Sequence, residues 1–79
     1  MKKKAVKVSN WQKGKPKFPG LYQRNLPFLS DRQLYDCYHY WDGKLWYVFG
    51  YDKQDAMREY EIRNESSCQK GYLWRGVIE

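Results

Sequence analysis

The chain has 79 residues, of which 42% are hydrophobic and 30% are charged, and its net charge is +6. A single domain of this length buries only part of its apolar surface. No stretch approaches the roughly 20 apolar residues of a membrane-spanning helix, and two cysteines are too few for a disulfide framework. A small protein of the cytoplasm, with reduced thiols, is therefore the expectation.

The positive charge is concentrated at the N-terminus. Residues 1 to 17 hold seven lysines and no acidic residue, whereas the remainder holds eight basic and nine acidic residues. We predict a flexible, lysine-rich arm over residues 1–18, with Trp11 as its one large anchor, and a β domain over residues 19–79. The lysines of the arm are Lys2, Lys3, Lys4, Lys7, Lys13, Lys15 and Lys17.

The predicted domain begins with one short strand and one loop. The strand covers residues 21–24, and the loop covers residues 25–33. Pro27 interrupts any strand within this loop, and the Ser30-Asp31 pair favours a turn.

A β-hairpin is the clearest predicted element, with strands over residues 34–41 and 44–51. They are joined by Asp42-Gly43, which is typical of a two-residue type I′ turn because both central residues need positive φ. The flanking runs are dense in Tyr, Trp, Phe and Val, which favour strands. The length of the turn also determines the register of the two strands.

This register pairs Trp41 with Lys44 and leaves aromatic residues on both faces of the hairpin. One face carries Tyr35, Cys37, His39, Trp41, Trp46 and Val48, and the other carries Leu34, Asp36, Tyr38, Tyr40, Leu45, Tyr47, Phe49 and Tyr51. Either Trp11 of the arm and the loop over residues 25–33 cover the two faces, or the tyrosine-rich face stays open as a docking surface. The candidate contacts on an open face are Tyr38, Tyr40, Tyr47 and Tyr51.

The rest of the chain is predicted as a turn and two further strands. Asp52 can cap one helical turn, and alternating charged and apolar residues over 58–63 favour a strand. A closing strand covers residues 72–78. We predict a mainly β domain with a small antiparallel sheet of three to five strands, arranged as a meander. If the last strand lies beside the first, the sheet tightens toward a barrel.

The candidates for catalysis and metal binding are weak, so we predict neither an enzyme nor a cofactor. Cys37 and His39 lie two residues apart on one strand face, where side chains are roughly 7 Å apart, too far for a thiol–imidazole pair. A zinc site that adds Cys68 lacks a fourth ligand at a recognisable spacing. A partly buried histidine beside a core cysteine is the expected arrangement.

Nucleic-acid binding is the alternative to protein docking. The lysines of the arm attract phosphate without regard to base sequence, and exposed sheet aromatics can stack on bases. The predicted sheet itself has few cations, so the charges and the aromatics lie on separate parts of the sequence.

A pattern of residues resembles short uncharacterised proteins of bacteriophages and prophages. It comprises Pro19-Gly20-Leu21-Tyr22, Trp41-Asp42-Gly43, Trp46, Ala56, Ser66, Ser67, Gln69 and Trp74-Arg75-Gly76-Val77. The resemblance implies an accessory protein in the bacterial cytoplasm that binds and modulates a host protein, such as a CRISPR or other defence complex or a nucleic-acid-processing complex. Trp74 and Arg75 would then contact this partner. Otherwise Trp74 fills the core and Arg75 points to solvent, and an exposed sheet edge allows a homodimer.

Overall fold

The computed structural model describes residues 7 to 78, and within this range the chain forms four strands and two helices. The strands are β1 (Lys7–Val8), β2 (Gly20–Arg24), β3 (His39–Trp41) and β4 (Trp74–Ile78), and the helices are α1 (Asp31–Asp36) and α2 (Lys53–Glu61). Of these two helices, neither has the length and apolar character needed to cross a membrane.

The strands form one antiparallel sheet in the order β1-β4-β2-β3. The predicted small antiparallel β fold is confirmed. The closing strand lies beside the first strand of the domain, an arrangement that the sequence left open. Tyr22 pairs with Gly76, and Arg24 pairs with Trp74. The predicted meander is wrong, because α2 and the residues after it carry the chain back from β3 to the far side of β2. The sheet is open, with β1 and β3 at its two edges.

The N-terminal segment lies along β4 over the residues that the structure describes. Val8 of β1 is opposite Val77, and Gln12 exchanges backbone hydrogen bonds of 2.7 and 3.0 Å with Trp74. The sheet therefore extends into the segment predicted as an arm. Residues 1–6 lie outside the described range.

Residues 31–36, predicted as the end of a loop and the start of a strand, form helix α1 instead. The Ser30 hydroxyl accepts a 3.2 Å bond from the N–H of Gln33, and the Gln33 side-chain oxygen accepts a 3.0 Å bond from the N–H of Ser30. This capping box satisfies N–H groups that a helix start otherwise leaves free. The strand preference of Leu34 and Tyr35 therefore predicts the wrong element.

The turn of the hairpin is centred one residue later than predicted. The N–H of Asp42 donates to the carbonyl of Leu45 at 3.2 Å, so Trp41 lies opposite Trp46 rather than Lys44. The Asp42 carboxylate holds this turn by accepting bonds from the N–H of Lys44 at 2.8 Å, the N–H of Leu45 at 2.7 Å and the hydroxyl of Tyr47 at 2.7 Å. Burial alone raises the pKa of this carboxyl, but these bonds outweigh it and hold the pKa below its usual value.

The second side of the hairpin, predicted as a regular strand over residues 44–51, forms isolated bridges instead. Gly50 bridges to Tyr38 and lies directly against α2. A Cβ at Gly50 would stand 2.3 Å from the backbone nitrogen of Ala56. The absence of a side chain at this glycine is what allows the helix to seat on the hairpin.

Asp52 caps helix α2, as predicted, but the helix continues into residues predicted as a strand. The Asp52 carboxylate accepts a 2.8 Å bond from the N–H three residues later. Ala56 and Tyr60 are four residues apart, so the helix places both on the face that covers the hairpin. The ring of Tyr60 packs against that of Tyr40, with 4.4 Å between their centroids. This packing overrides the alternating pattern over residues 58–63.

The core is aromatic but also contains polar groups. The rings of Trp41 and Trp46 pack with centroids 5.0 Å apart, and Cys37 is fully buried. His39, predicted to be partly buried beside a core cysteine, is almost fully buried, with only 1% of its surface exposed. The other buried polar residues are Gln23, Arg24 and Arg75.

Candidate functional site

A cavity of about 350 Å³ opens where the N-terminal segment passes the residues that lead into β4. We call it the basic cleft. The side chains that define its chemistry are Lys13, Lys15, Lys70, Trp46, Gln69 and Tyr72. Two parts of the sequence that are far apart, residues 13–15 and 69–73, therefore form one site.

Each rim of the basic cleft contains a glycine in the left-handed conformation. Gly14 has a φ of +80° and Gly71 a φ of +85°. Glycine adopts such a φ without the clash that a Cβ introduces. These two glycines shape the backbone that carries Lys13 and Lys15 on one rim and Lys70 on the other.

The side-chain amide of Gln69 fixes the second rim to the hairpin. Its oxygen accepts a 2.8 Å bond from the N–H of Trp46, and its nitrogen donates to the carbonyls of Trp46 at 2.8 Å and Ser66 at 2.7 Å. The amide thus pairs with the Trp46 backbone much as a neighbouring strand would. This pairing holds the Trp46 ring in the wall of the cleft.

The lysines of the basic cleft are exposed and lack acidic partners. Within residues 7–78, no carboxylate forms an ion pair with Lys13, Lys15 or Lys70, and no acidic residue lines the cavity. The half-buried ring of Tyr72 lies beside them. Unpaired cations attract an anion, and an aromatic face suits a planar ring.

Arg24 lies under two walls of the basic cleft. Its guanidinium carbon is 4.5 Å from the ring centroid of Trp46 and 5.9 Å from that of Tyr72. The residue is 1% exposed, and its Nε and Nη1 have no hydrogen-bond partner among the described residues. Burial lowers the pKa of Arg24 to about 10, so the group remains a cation at neutral pH. The two rings provide cation–π contacts, but a buried donor without a hydrogen bond costs free energy.

The four tyrosines predicted as docking contacts do not share an open surface. Tyr47 is only 3% exposed, and Tyr40 is half-buried beneath Tyr60 of α2. Tyr38 is half-buried, whereas Tyr51 is 61% exposed. Helix α2 packs against Tyr40 and Tyr47 on this face, because residues predicted as a separate strand belong to that helix.

The prediction that Arg75 points to solvent is wrong. Arg75 is 8% exposed, and its Nε donates a 2.9 Å bond to the side-chain oxygen of Gln23. Its guanidinium carbon lies 4.1 Å from the ring centroid of Trp11. Trp74 is half-buried and meets Tyr22 edge-on, with 5.2 Å between centroids. The contact of Arg75 with Trp11 helps to hold the N-terminal segment along β4. In this position Lys13 and Lys15, which follow Trp11, line the basic cleft.

The structure separates the seven lysines predicted as phosphate contacts. Lys13 and Lys15 line the basic cleft, Lys17 is exposed outside it, Lys7 lies in β1, and Lys2, Lys3 and Lys4 are outside the described residues. Sequence reasoning missed Lys70 and Tyr72. The repeated Lys-Gly pair, at Lys13-Gly14 and again at Lys70-Gly71, is the signal that relates the two rims.

Metal binding finds no support in the part of the chain that the structure covers. Residues 7–78 contain no group of three or more His, Cys, Asp or Glu side chains placed to hold a metal ion. Cys37 and His39 are both buried in the core, and Cys68 is a free, partly exposed thiol.

No protein-family model matches the chain, and no curated protein or solved structure matches it. Its function is therefore inferred from the chemistry of the basic cleft.

Proposed function

We propose that this chain is a non-catalytic binding module for single-stranded nucleic acid and that the basic cleft is its binding site. The observation that supports the proposal is the convergence of Lys13, Lys15 and Lys70 with the ring of Tyr72 around one cavity. Lysines attract the phosphate backbone of any sequence, and an aromatic ring stacks on any base. The charges and aromatics that lie apart in the sequence meet on one surface.

The concave shape of the basic cleft favours a single strand over a duplex. Tyr72 is half-buried in the wall of the cavity. A base reaches such a ring only when it has left the stack of a double helix, and unpairing costs a few kcal/mol. A strand that is already single does not incur this cost, so we expect it to bind more tightly.

The proposal is tested by the salt dependence of binding to a short labelled oligonucleotide, followed by fluorescence anisotropy. The double variant Lys13→Gln/Lys15→Gln should weaken binding by about tenfold or more at low salt. It should also reduce the slope of log Kd against log salt concentration by about 1.4, since each single-strand phosphate contact contributes about 0.7.

The matched control is Lys17→Gln/Lys44→Gln, which removes the same charge from two exposed lysines outside the basic cleft. We expect it to bind nearly as the wild type does. Equal weakening by the two double variants would mean that net charge alone governs binding, and the cleft would then not be the site.

We also infer a second candidate function, which follows from the resemblance to phage and prophage proteins: docking onto a protein of the bacterial cytoplasm. Three exposed aromatic residues support it, namely Phe28 at 61%, Tyr35 at 58% and Tyr51 at 61% exposure. Exposed aromatic residues often mark interaction sites. A host protein captured from nuclease-treated lysate by the wild type, but not by Tyr35→Ser/Tyr51→Ser, would support this function. Equal capture by both would contradict it.

A further inference from the structure

The positive charge at the basic cleft exceeds the charge of one internal link of a nucleic-acid backbone. Lys13, Lys15 and Lys70 line the cavity of about 350 Å³. Arg24 does not line it, but its guanidinium packs against the rings of Trp46 and Tyr72, which do. An internal phosphodiester carries one negative charge. A terminal phosphate carries about 1.5 to 2 at neutral pH. The cleft is electrostatically better matched to a terminal phosphate.

Arg24 is the second observation that indicates an anionic ligand. Its guanidinium is almost fully buried, yet no acceptor among the described residues bonds to its Nε or Nη1. Replacing a buried charge with an apolar residue of similar volume is often neutral or stabilising. Because the charge is not neutralised by a neighbouring carboxylate and water does not screen it, its field reaches the adjoining cleft.

The size of the basic cleft limits the ligand to about one nucleotide. Ligand cavities in proteins span roughly 300 to 1,000 Å³, and this one, at about 350 Å³, is near the lower limit. Tyr72 offers one aromatic face for one base. The lysines stand on both rims, where a phosphate attached to that nucleotide would lie.

We propose that the basic cleft recognises the terminal phosphate of a nucleotide, with the base on Tyr72, the rim lysines around the phosphate and the Arg24 charge beneath it. This inference rests on the proposed function, since it names the part of the nucleic acid that the cleft selects. Arg24 acts as a positioning residue through its charge. A phosphorylated strand end and a free mononucleotide present the same chemistry, and the experiment distinguishes them.

The test compares oligonucleotides of one sequence that carry a 5′-phosphate, a 3′-phosphate or hydroxyl groups at both ends, with Kd measured by fluorescence anisotropy. We expect one of the two terminal phosphates to tighten binding about tenfold or more over the hydroxyl form. Equal affinity for all three would overturn this inference and leave the proposed function intact.

A mononucleotide competitor separates the two sources of the phosphate. Competition as strong as that of the phosphorylated oligonucleotide would support recognition of a free nucleotide, and weaker competition would support recognition of a strand end. Binding of the mononucleotide but of no oligonucleotide would support the inference and overturn the proposed function. Binding of neither would overturn both.

Variants of Arg24 test its role without depending on overall affinity. Arg24→Met should lose most of the preference for a terminal phosphate, while its urea midpoint stays unchanged or rises. Arg24→Lys keeps the charge and should keep most of the preference. A preference retained by Arg24→Met would overturn the role of Arg24. If Arg24→Met does not fold, Lys70→Gln tests whether the positive charge of the cleft sets the preference for a terminal phosphate. An undiminished preference in Lys70→Gln would overturn this charge match.

Discussion

The hairpin with its covering helix and the basic cleft both contain aromatic side chains and buried polar atoms without a hydrogen bond, such as Nδ1 of His39 in the hairpin. They differ in the partners of their charged groups. At the hairpin, the rings of Tyr40, Tyr47 and Tyr60 pack together with centroids 4.4 to 6.4 Å apart. The hydroxyl of Tyr47 donates to Asp42 at 2.7 Å. At the cleft, lysines without partners surround a cavity, and Arg24 beneath them has two unbonded donors.

This difference underlies the choice of the basic cleft as the proposed binding site. A chain of this length has little volume for a core, so large rings are needed to fill it. Tyr40 and Tyr47, from the densest aromatic run, accordingly pack against Tyr60 of α2. A group left without a partner, by contrast, has a free-energy cost that the fold does not recover. Unpartnered charges beside a cavity are therefore the better indicator of a site.

The largest expected effect compares two tyrosines that the sequence pattern treats alike. Tyr47→Ala should lower the free energy of unfolding by about 3 to 5 kcal/mol, because it removes a buried ring. Tyr51→Ala, at an exposed position, should change it by about 0.5 kcal/mol or less. Urea denaturation monitored by circular dichroism measures both. If both variants change the free energy of unfolding by a small and equal amount, then Tyr47 is not buried under α2 and the two regions do not differ as described.

The next largest effect compares two glycines, one in each region, by the free energy of unfolding that each loses on substitution by alanine. Gly50→Ala should cost about 2 to 3 kcal/mol, because the new Cβ would meet the backbone of α2. Gly71→Ala, on the rim of the cleft, has open space around it but a φ of +85°, so it should cost about 1 kcal/mol. The same urea titration measures both variants. If Gly50→Ala lowers the free energy of unfolding no more than Gly71→Ala does, α2 does not pack directly on the hairpin.

The smallest expected effect concerns acid stability at His39, which is buried in the hairpin. Burial, and secondarily the charge of Arg24, lowers the pKa of His39 to about 3, against about 6.5 in the unfolded chain. The unfolded state thus binds more protons between these values, so stability falls as the pH drops below about 6.5. At pH 5.5 the loss should be about 1.4 kcal/mol.

The control for this prediction is His39→Gln, which places a neutral side chain at the same position. Urea midpoints between pH 7.5 and 5.5 should fall less in this variant than in the wild type. Parallel pH profiles for the two proteins would show that His39 is accessible to protons in the folded state.

Local sequence signals predicted several elements correctly and others not. The strands at β2 and β4 and the cap at Asp52 follow from residue preference and side-chain hydrogen bonding to nearby N–H groups. Helix α1 was predictable from the spacing of Ser30 and Gln33, but its strand-favouring residues indicate the opposite. The strand predicted over residues 58–63 does not form. The packing of Tyr60 on the hairpin stabilises the helix more than an alternating pattern favours a strand.

The sequence by itself determined the small antiparallel β domain, the position of its hairpin and the concentration of lysines near the N-terminus, because these depend on neighbours along the chain. Only the tertiary structure decided which lysines meet an aromatic ring. That meeting requires the N-terminal segment to lie along β4, through contacts such as the 2.8 Å bond between Ser9 and Gly76, 67 positions apart. The stacking of Arg75 on Trp11 also contributes. Contacts over such separations leave no periodic pattern in the sequence, and so the basic cleft appears only once the sheet is assembled.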